Sequence, residues 1–248
     1  IHDDIMDKAP LRRGLPTVHT KWNENTGILS GDVLFVKSLQ LLSECEDKLF
    51  PVIHRLFCKT ATEVCEGQQF DMEFEKRNDV SIEDYLHMIT LKTAVLLGAS
   101  LKTGALLAGA GNTDADHIYE FGKNLGIAFQ LKDDLLDAYG DEEKFGKQKG
   151  GDILAGKKTF LLLTALKNSD KNQAGELLQL IENKTISSEE KVNSVIRIYN
   201  EKNISQKTEE AMNGYFKLAS EHLAKINLPD EKKIPLEKLA EQLMVRIS

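Results

Sequence analysis

Residues 114–138 read DADHIYEFGKNLGIAFQLKDDLLDA, an apolar helical pattern that ends in an acidic word, Asp133-Asp134-Leu135-Leu136-Asp137. The chain opens on the same word, Asp3-Asp4-Ile5-Met6-Asp7. Residues four apart on a helix share a face, about 6 Å apart along the axis, so Asp3 stacks on Asp7 and Asp133 on Asp137. Each copy is a carboxylate clamp set among apolar residues, Leu131, Leu135 and Leu136 in the second. If two such helices face each other, carboxylates about 4 Å apart repel by roughly 4 kcal/mol per pair at an effective dielectric near 20. A cation belongs between them. Oxygen-only ligands, with no cysteine or histidine spacing, suit a hard cation; magnesium keeps waters and bridges to phosphate oxygens, which points to a diphosphate substrate.

The basic residues agree with that reading. Arg12 and Arg13 lie one loop beyond the first clamp, and Lys147, Lys149, Lys157 and Lys158 lie in or just past the loop after the second. Guanidinium forks and ammonium groups are the usual partners of phosphate.

Helical periodicity runs through the rest of the chain, and five prolines in 248 residues leave room for long elements. Patterns extend over about 27–46, 48–76 and 81–109, the last opened by a capping-box pair, Ser81 and Asp84. Residues 139–156 read as a polar, glycine-rich loop, 159–166 as a short apolar helix, Ser187 and Glu190 as another cap, and Pro235 as the first turn of the last helix. Strand alternation and hairpin signals are nearly absent, so Leu11 to Pro16 reads as loop. The expectation is one domain over 1–248, an all-α helical bundle whose central helices present function inward.

Charge and composition narrow the class. A net charge of −7 and 41% hydrophobic content fit a globular core and speak against nonspecific binding to nucleic acid or an anionic membrane surface. No run of about 18 apolar residues and no signal region is seen, so no membrane insertion and a cytoplasmic location are expected. Cys45, Cys58 and Cys65 form no zinc spacing and read as reduced core residues. The chain begins at Ile1 inside a helical pattern, and sequence upstream is expected.

The segments IHDDIMDKAPLRRGLPTVH (1–19) and FQLKDDLLDAYGDEEKFGKQKGGDILAGKKT (129–159), with Lys92-Thr93 in YLHMITLKTA between them, resemble the trans-isoprenyl diphosphate synthases of the polyprenyl synthetase family. The resemblance implies the isoprenoid synthase helical bundle with a central active-site cavity. It implies head-to-tail condensation of isopentenyl diphosphate with an allylic diphosphate (dimethylallyl, geranyl or farnesyl) to a farnesyl or geranylgeranyl product, and a homodimer. Carried over, Asp3, Asp7 and Asp133 bind magnesium, three ions per site, with Asp4 and Asp137 in support. Arg12 contacts the allylic diphosphate and Arg13 isopentenyl diphosphate. Lys92, Lys147 and Lys157 draw charge off the leaving group, while Thr93 and Gln130 face the allylic cation. Lys92-Thr93 is preferred to the second pair, Lys102-Thr103, which lies some 80° away on one helix at about 100° per residue. The segment Gly67-Gln68-Gln69-Phe70-Asp71 resembles the family's Gly-Gln-x-x-Asp and is expected to line the cavity. A class I terpene cyclase lacks the second Asp-Asp-x-x-Asp, and a noncatalytic partner subunit has no need of intact clamps. Product length is set largely by residues just before the first clamp.

Overall fold

The computed structural model describes residues 1–140, 149–183 and 185–245. Its contacts group into two compact units, Ile1–Lys59 and Thr60–Ser248.

The first unit holds α1 (His2–Met6), a two-stranded ribbon of β1 (Leu11–Arg12) and β2 (Leu15–Pro16), α2 (Val18–Lys21), α3 (Glu24–Leu42) and the first turns of α4 (Phe50–Phe74). The ribbon corrects the expectation of a loop. Leu11 pairs with Pro16 and Arg12 with Leu15, across a turn in which Arg13 and Gly14 have φ of 53° and 75°. Positive φ at both central positions is the type I′ pattern, which matches the twist of paired strands. Strands of two residues are too short to show alternation, so only Arg13-Gly14 signalled it. Asn23 caps α3 by accepting from the Thr26 amide. Helix α3 meets α1 through Gly27: a Cβ there would lie 2.7 Å from Ile5 Cδ1. Ile28, Leu29, Val33, Leu34, Phe35 and Val36 of α3 are exposed.

The second unit is built around α7 (Asn112–Tyr139). Before it come α5 (Ile82–Ile89), a π-helical turn Thr90–Ala94, and α6 (Val95–Leu107). After it come α8 (Gly151–Ala155), α9 (Phe160–Lys167), α10 (Lys171–Glu182), α11 (Ser188–Glu201), α12 (Ile204–Ala224) and α13 (Asp230–Val245). The expected capping box at Ser81 forms in full, with Asp84 answering the Ser81 amide. Ser187 caps α11 by accepting from the Glu190 amide. Helix α7 packs most extensively on α12 and α6 and contributes to both apolar clusters. Ile127, Leu131 and Leu135 enter the larger one, and Ile118, Phe121 and Leu125 the smaller. Among the described residues the protein is all-α apart from the ribbon, as the sequence predicts.

Three further expectations are corrected. Helix α13 starts at Asp230, so Pro235 lies inside it, where it offers no N–H to the carbonyl one turn back. The run Ile82–Leu107 is long and apolar enough, by length and composition, to cross a membrane. It packs against α7, with Ala94, Val95 and Ala99 buried. Cys45, Cys58 and Cys65 form no disulfide, and Cys58 and Cys65 are exposed rather than core.

Candidate active site

The first acidic word folds as α1 and the turn after it. Asp4 is buried, and its Oδ1 accepts from Arg12 Nε at 2.5 Å. Arg12 Nη2 lies 3.6 Å from Asp3 Oδ2, so one guanidinium serves two carboxylates of the clamp. The ribbon brings this about by folding Arg12 back over α1. Asp7 is exposed, and Arg13 stands exposed at the turn.

The second word closes α7 and repeats the pattern with other partners. Its middle aspartate, Asp134, is 5% exposed. Tyr85 OH donates to Asp134 Oδ2 at 2.5 Å, the Phe160 amide donates to the same oxygen at 3.3 Å, and Gln130 Nε2 donates to Oδ1 at 3.4 Å. No cation is among these partners. Burial and the charge of Asp152 push the Asp134 carboxyl up to about 7, against the lowering effect of its three donors. Burial, then the Asp134 charge, pushes the Tyr85 phenol well above its ordinary range, so it stays a donor. Asp133 is exposed and Asp137 half-buried. Asp137 Oδ2 accepts from the Asp152 amide at 2.9 Å and its carbonyl from the Gly150 amide at 2.7 Å, which seats α8 against the clamp.

Between α5 and α6 the chain makes the π turn that carries Lys92 and Thr93. Such turns widen a helix by one residue and re-aim its side chains. Two glycines permit it: a Cβ on Gly67 would lie 2.3 Å from the Lys92 nitrogen, and one on Gly126 would lie 2.7 Å from Ala94 Cα. Lys92 Nζ meets Asp71 Oδ2 at 2.6 Å, and Thr93 Oγ1 donates to Gln130 Oε1 at 3.4 Å. Lys157 Nζ is 3.9 Å from Asp152 Oδ1. A cavity of about 90 Å³ is lined by Asp71, Tyr85, Lys92, Thr93, Gln130, Asp134, Asp152 and Lys157, with Lys158 and Thr159 at its edge. Lys102, by contrast, pairs with Asp116 at the other end of α6.

Of the residues predicted in this unit, Lys92, Thr93, Gln130 and Lys157 line one cavity, while Asp133 and Asp137 lie outside its lining, Asp137 reaching it only through the Asp152 amide. Lys147 lies outside the described residues. Sequence reasoning missed Asp71 as the partner of Lys92, Asp152 as the link between Asp137 and Lys157, and Tyr85 as the donor to Asp134. The Gly-Gln-x-x-Asp segment held the signal for Asp71. Gln68 is 9% exposed and neither of its amide atoms has a hydrogen-bond partner in the protein. A buried amide left so costs about 1–3 kcal/mol.

The donor set fits magnesium. Among the described residues no three of His, Cys, Asp or Glu converge into an all-protein cage. Magnesium does not ask for one, since it binds through one or two carboxylates and completes its octahedron with waters and phosphate oxygens. Asp133 with Asp137, and Asp3 with Asp7, each offer two carboxylates on one helical face.

The family model "Polyprenyl synthetase" matches residues 1–199. The chain belongs to the polyprenyl synthetase family. It is 44% identical over 173 residues to a geranylgeranyl diphosphate synthase of Methanosarcina mazei, covering 69% of this chain and 53% of that one. It is 42% identical over 191 residues to a short chain isoprenyl diphosphate synthase of Methanocaldococcus jannaschii, covering 77% and 58%. The chain therefore spans little more than half the length of these curated relatives. A crystal structure of a geranylgeranyl pyrophosphate synthase matches with a TM-score of 0.93 at 42% identity, over 100% of this chain and 76% of that one. The geranylgeranyl pyrophosphate synthetase of Pyrococcus horikoshii matches at 0.90 and 35%, over 99% and 74%. The isoprenoid synthase fold expected from the sequence is the fold observed.

Proposed function

We propose that the protein is a magnesium-dependent prenyltransferase that joins isopentenyl diphosphate head-to-tail to an allylic diphosphate, giving farnesyl or geranylgeranyl diphosphate. One observation carries the reading: Lys92, Thr93, Gln130 and Lys157 line one cavity beside the acidic end of α7, in a chain of a family whose members bear the names of such synthases.

In this reading Arg12 holds the allylic diphosphate and Arg13 isopentenyl diphosphate. Lys92, Lys147 and Lys157 neutralise the diphosphate as it leaves. Thr93 Oγ1 and Gln130 Oε1 set oxygen dipoles toward the allylic cation, charge that exists only near the transition state and so accelerates the reaction when stabilised. Isopentenyl diphosphate attacks that cation, and the proton then lost passes to the departed diphosphate. Asp3, Asp7, Asp133 and Asp137 would hold three magnesium ions, with Asp4 keeping Arg12 in place. Bound magnesium supplies Lewis acidity and a template for the leaving group. The family match runs across the boundary at Lys59, which supports one synthase domain. The protein acts in the cytoplasm as a homodimer, and the exposed apolar face of α3 is surface suited to a partner. Light scattering after size exclusion reads that state.

Phosphorus NMR tests the chemistry. Inorganic diphosphate should appear only when the full-length protein, magnesium, isopentenyl diphosphate and an allylic diphosphate are all present. Release from the allylic substrate alone, at the same rate, would remove the condensation.

A further inference from the structure

At the end of α7 opposite its acidic word, two imidazoles meet across a pair of helices. His117 stands in the second turn of α7 and His222 in the last turn of α12, and their Nδ1 atoms lie 3.1 Å apart. The ring centroids are 5.3 Å apart, with 51° between the planes. Packing holds both rings in register. Ile118 and Leu223, the next residue along each helix, are buried in one apolar cluster with Phe121 and Ala219. Asp114 Oδ1 accepts from the Asn227 amide at 2.9 Å and ties the same two ends together. Both histidines are half-buried, so each ring keeps contact with solvent. Glu120 brings a negative charge to His222, while Lys123 and Lys225 bring positive ones. Glu120 holds Lys123 at 2.7 Å.

Between the two rings one Nδ1–H donates and the other Nδ1 accepts, so both nitrogens are aimed at one gap. Neutral imidazole nitrogens are also the commonest metal ligands. A tetrahedral ion with bonds of about 2.0–2.1 Å holds two nitrogen ligands about 3.3 Å apart. The pair needs to open by only about 0.2 Å to reach that spacing, and the broad χ2 well of histidine supplies it. We propose that His117 and His222 form a second metal site, a bis-imidazole chelate for a borderline-soft divalent ion such as zinc, which clasps the start of α7 to the end of α12. The two kinds of site sort ions by donor. Imidazole suits zinc, nickel and copper, whereas the acidic words offer only oxygens, which suit magnesium. Two protein ligands leave the remaining positions to water, as at an open zinc site. Nothing in the clasp depends on prenyl transfer.

Calorimetric titration of zinc into the full-length protein, in excess magnesium, tests the chelate. Wild type should bind zinc, and His117→Asn and His222→Asn should each weaken that binding at least about tenfold, the scale of losing even an outer partner of a metal ligand. No zinc binding by wild type, or either variant binding as tightly as wild type, overturns the proposal. Cys58, whose Sγ lies 3.6 Å from His54 Nε2 on α4, is the rival pair of donors. Cys58→Ser should leave zinc affinity within about twofold of wild type, as expected of a distant, independent site. Loss of binding in that variant assigns the ion to α4 and overturns the proposal. If a histidine variant does not fold, copper bound to the wild-type protein reads the ligands directly. Electron paramagnetic resonance should show two imidazole nitrogens on the ion, and fewer than two overturns the chelate. Zinc at about ten times its dissociation constant should also raise the wild-type melting temperature by about 3–6 °C. An equal rise in the double variant His117→Asn/His222→Asn overturns the clasp.

Discussion

The two acidic words share a sequence pattern and differ in what surrounds their middle residue. Asp4 and Asp134 are both buried, yet Asp4 is met by the Arg12 guanidinium and Asp134 by a phenol, an amide and a backbone N–H. A buried carboxylate with a cation is compensated at once. One with neutral donors alone is not, and its carboxyl rises to about 7. The outer residues of each word differ in their contacts too. In the first, Arg12 is drawn over the clamp and sits beside Asp3. In the second, the middle aspartate becomes a bracket that orders α7, α5 and the start of α9, while Asp133 is exposed and Asp137 accepts from the Asp152 amide. The same five residues thus build a cation-bridged end in one unit and a neutral-donor network in the other.

The largest test of this contrast removes an outer aspartate from each word. Asp133→Ala and Asp3→Ala should each lower kcat by about 10³-fold or more, the scale of losing several kcal/mol of metal-borne stabilisation, with melting temperature nearly unchanged. A variant with near-normal turnover would take its word out of the metal site.

A second test concerns the buried carboxylate of α7. Its pKa is raised from 3.8 to about 7 on folding, so the native state holds the proton more tightly than the unfolded chain. The stability it lends is full below about pH 4 and is lost as pH rises to 7, a loss of up to about 4 kcal/mol. Asp134→Asn should remove that slope. Urea midpoints in the presence of a chelator, compared at pH 5.5 and 8.5, should fall less in the variant than in wild type; parallel falls would mean the buried charge is compensated by something else.

Arg12 should show the opposite sign. Arg12→Ala strands Asp4 without its cation and should cost about 1–3 kcal/mol of stability, less than for a fully buried pair because the guanidinium is half exposed. It should also raise KM for the allylic substrate more than for isopentenyl diphosphate, with Arg13→Ala doing the reverse. Equal shifts would dissolve that division of labour.

The smallest effect separates the two Lys-Thr pairs. Lys102 pairs with an aspartate that is 64% exposed, so Lys102→Met should change stability by less than about 1 kcal/mol and turnover by under about twofold. Lys92→Met, which unseats the Asp71 pair at the cavity, should reduce turnover far more.

Much of this arrangement could be read from the chain. The four-residue spacing within each word, the helix that ends in the second, and the choice of Lys92 over Lys102 all follow from helical periods, which are local. What could not be read depends on contacts far apart in sequence. The π turn at Thr90–Ala94 arises where Gly67 and Gly126 let two other backbones press against it, and no pattern within the turn announces that. Tyr85 looked like an ordinary position ahead of Lys92, because its role appears only when Asp134, 49 residues on, folds against it. Pro235 misleads for a related reason: proline is commonest in a first turn, and here the helix already begins at Asp230, just after Pro229.

The most direct measurement is mass spectrometry of the products that the full-length protein forms from isopentenyl and dimethylallyl diphosphates, with and without magnesium. The account predicts prenyl diphosphates of 15 or 20 carbons (the farnesyl or geranylgeranyl chain), formed only with the metal; hydrocarbon products, or no magnesium-dependent product at all, would contradict it.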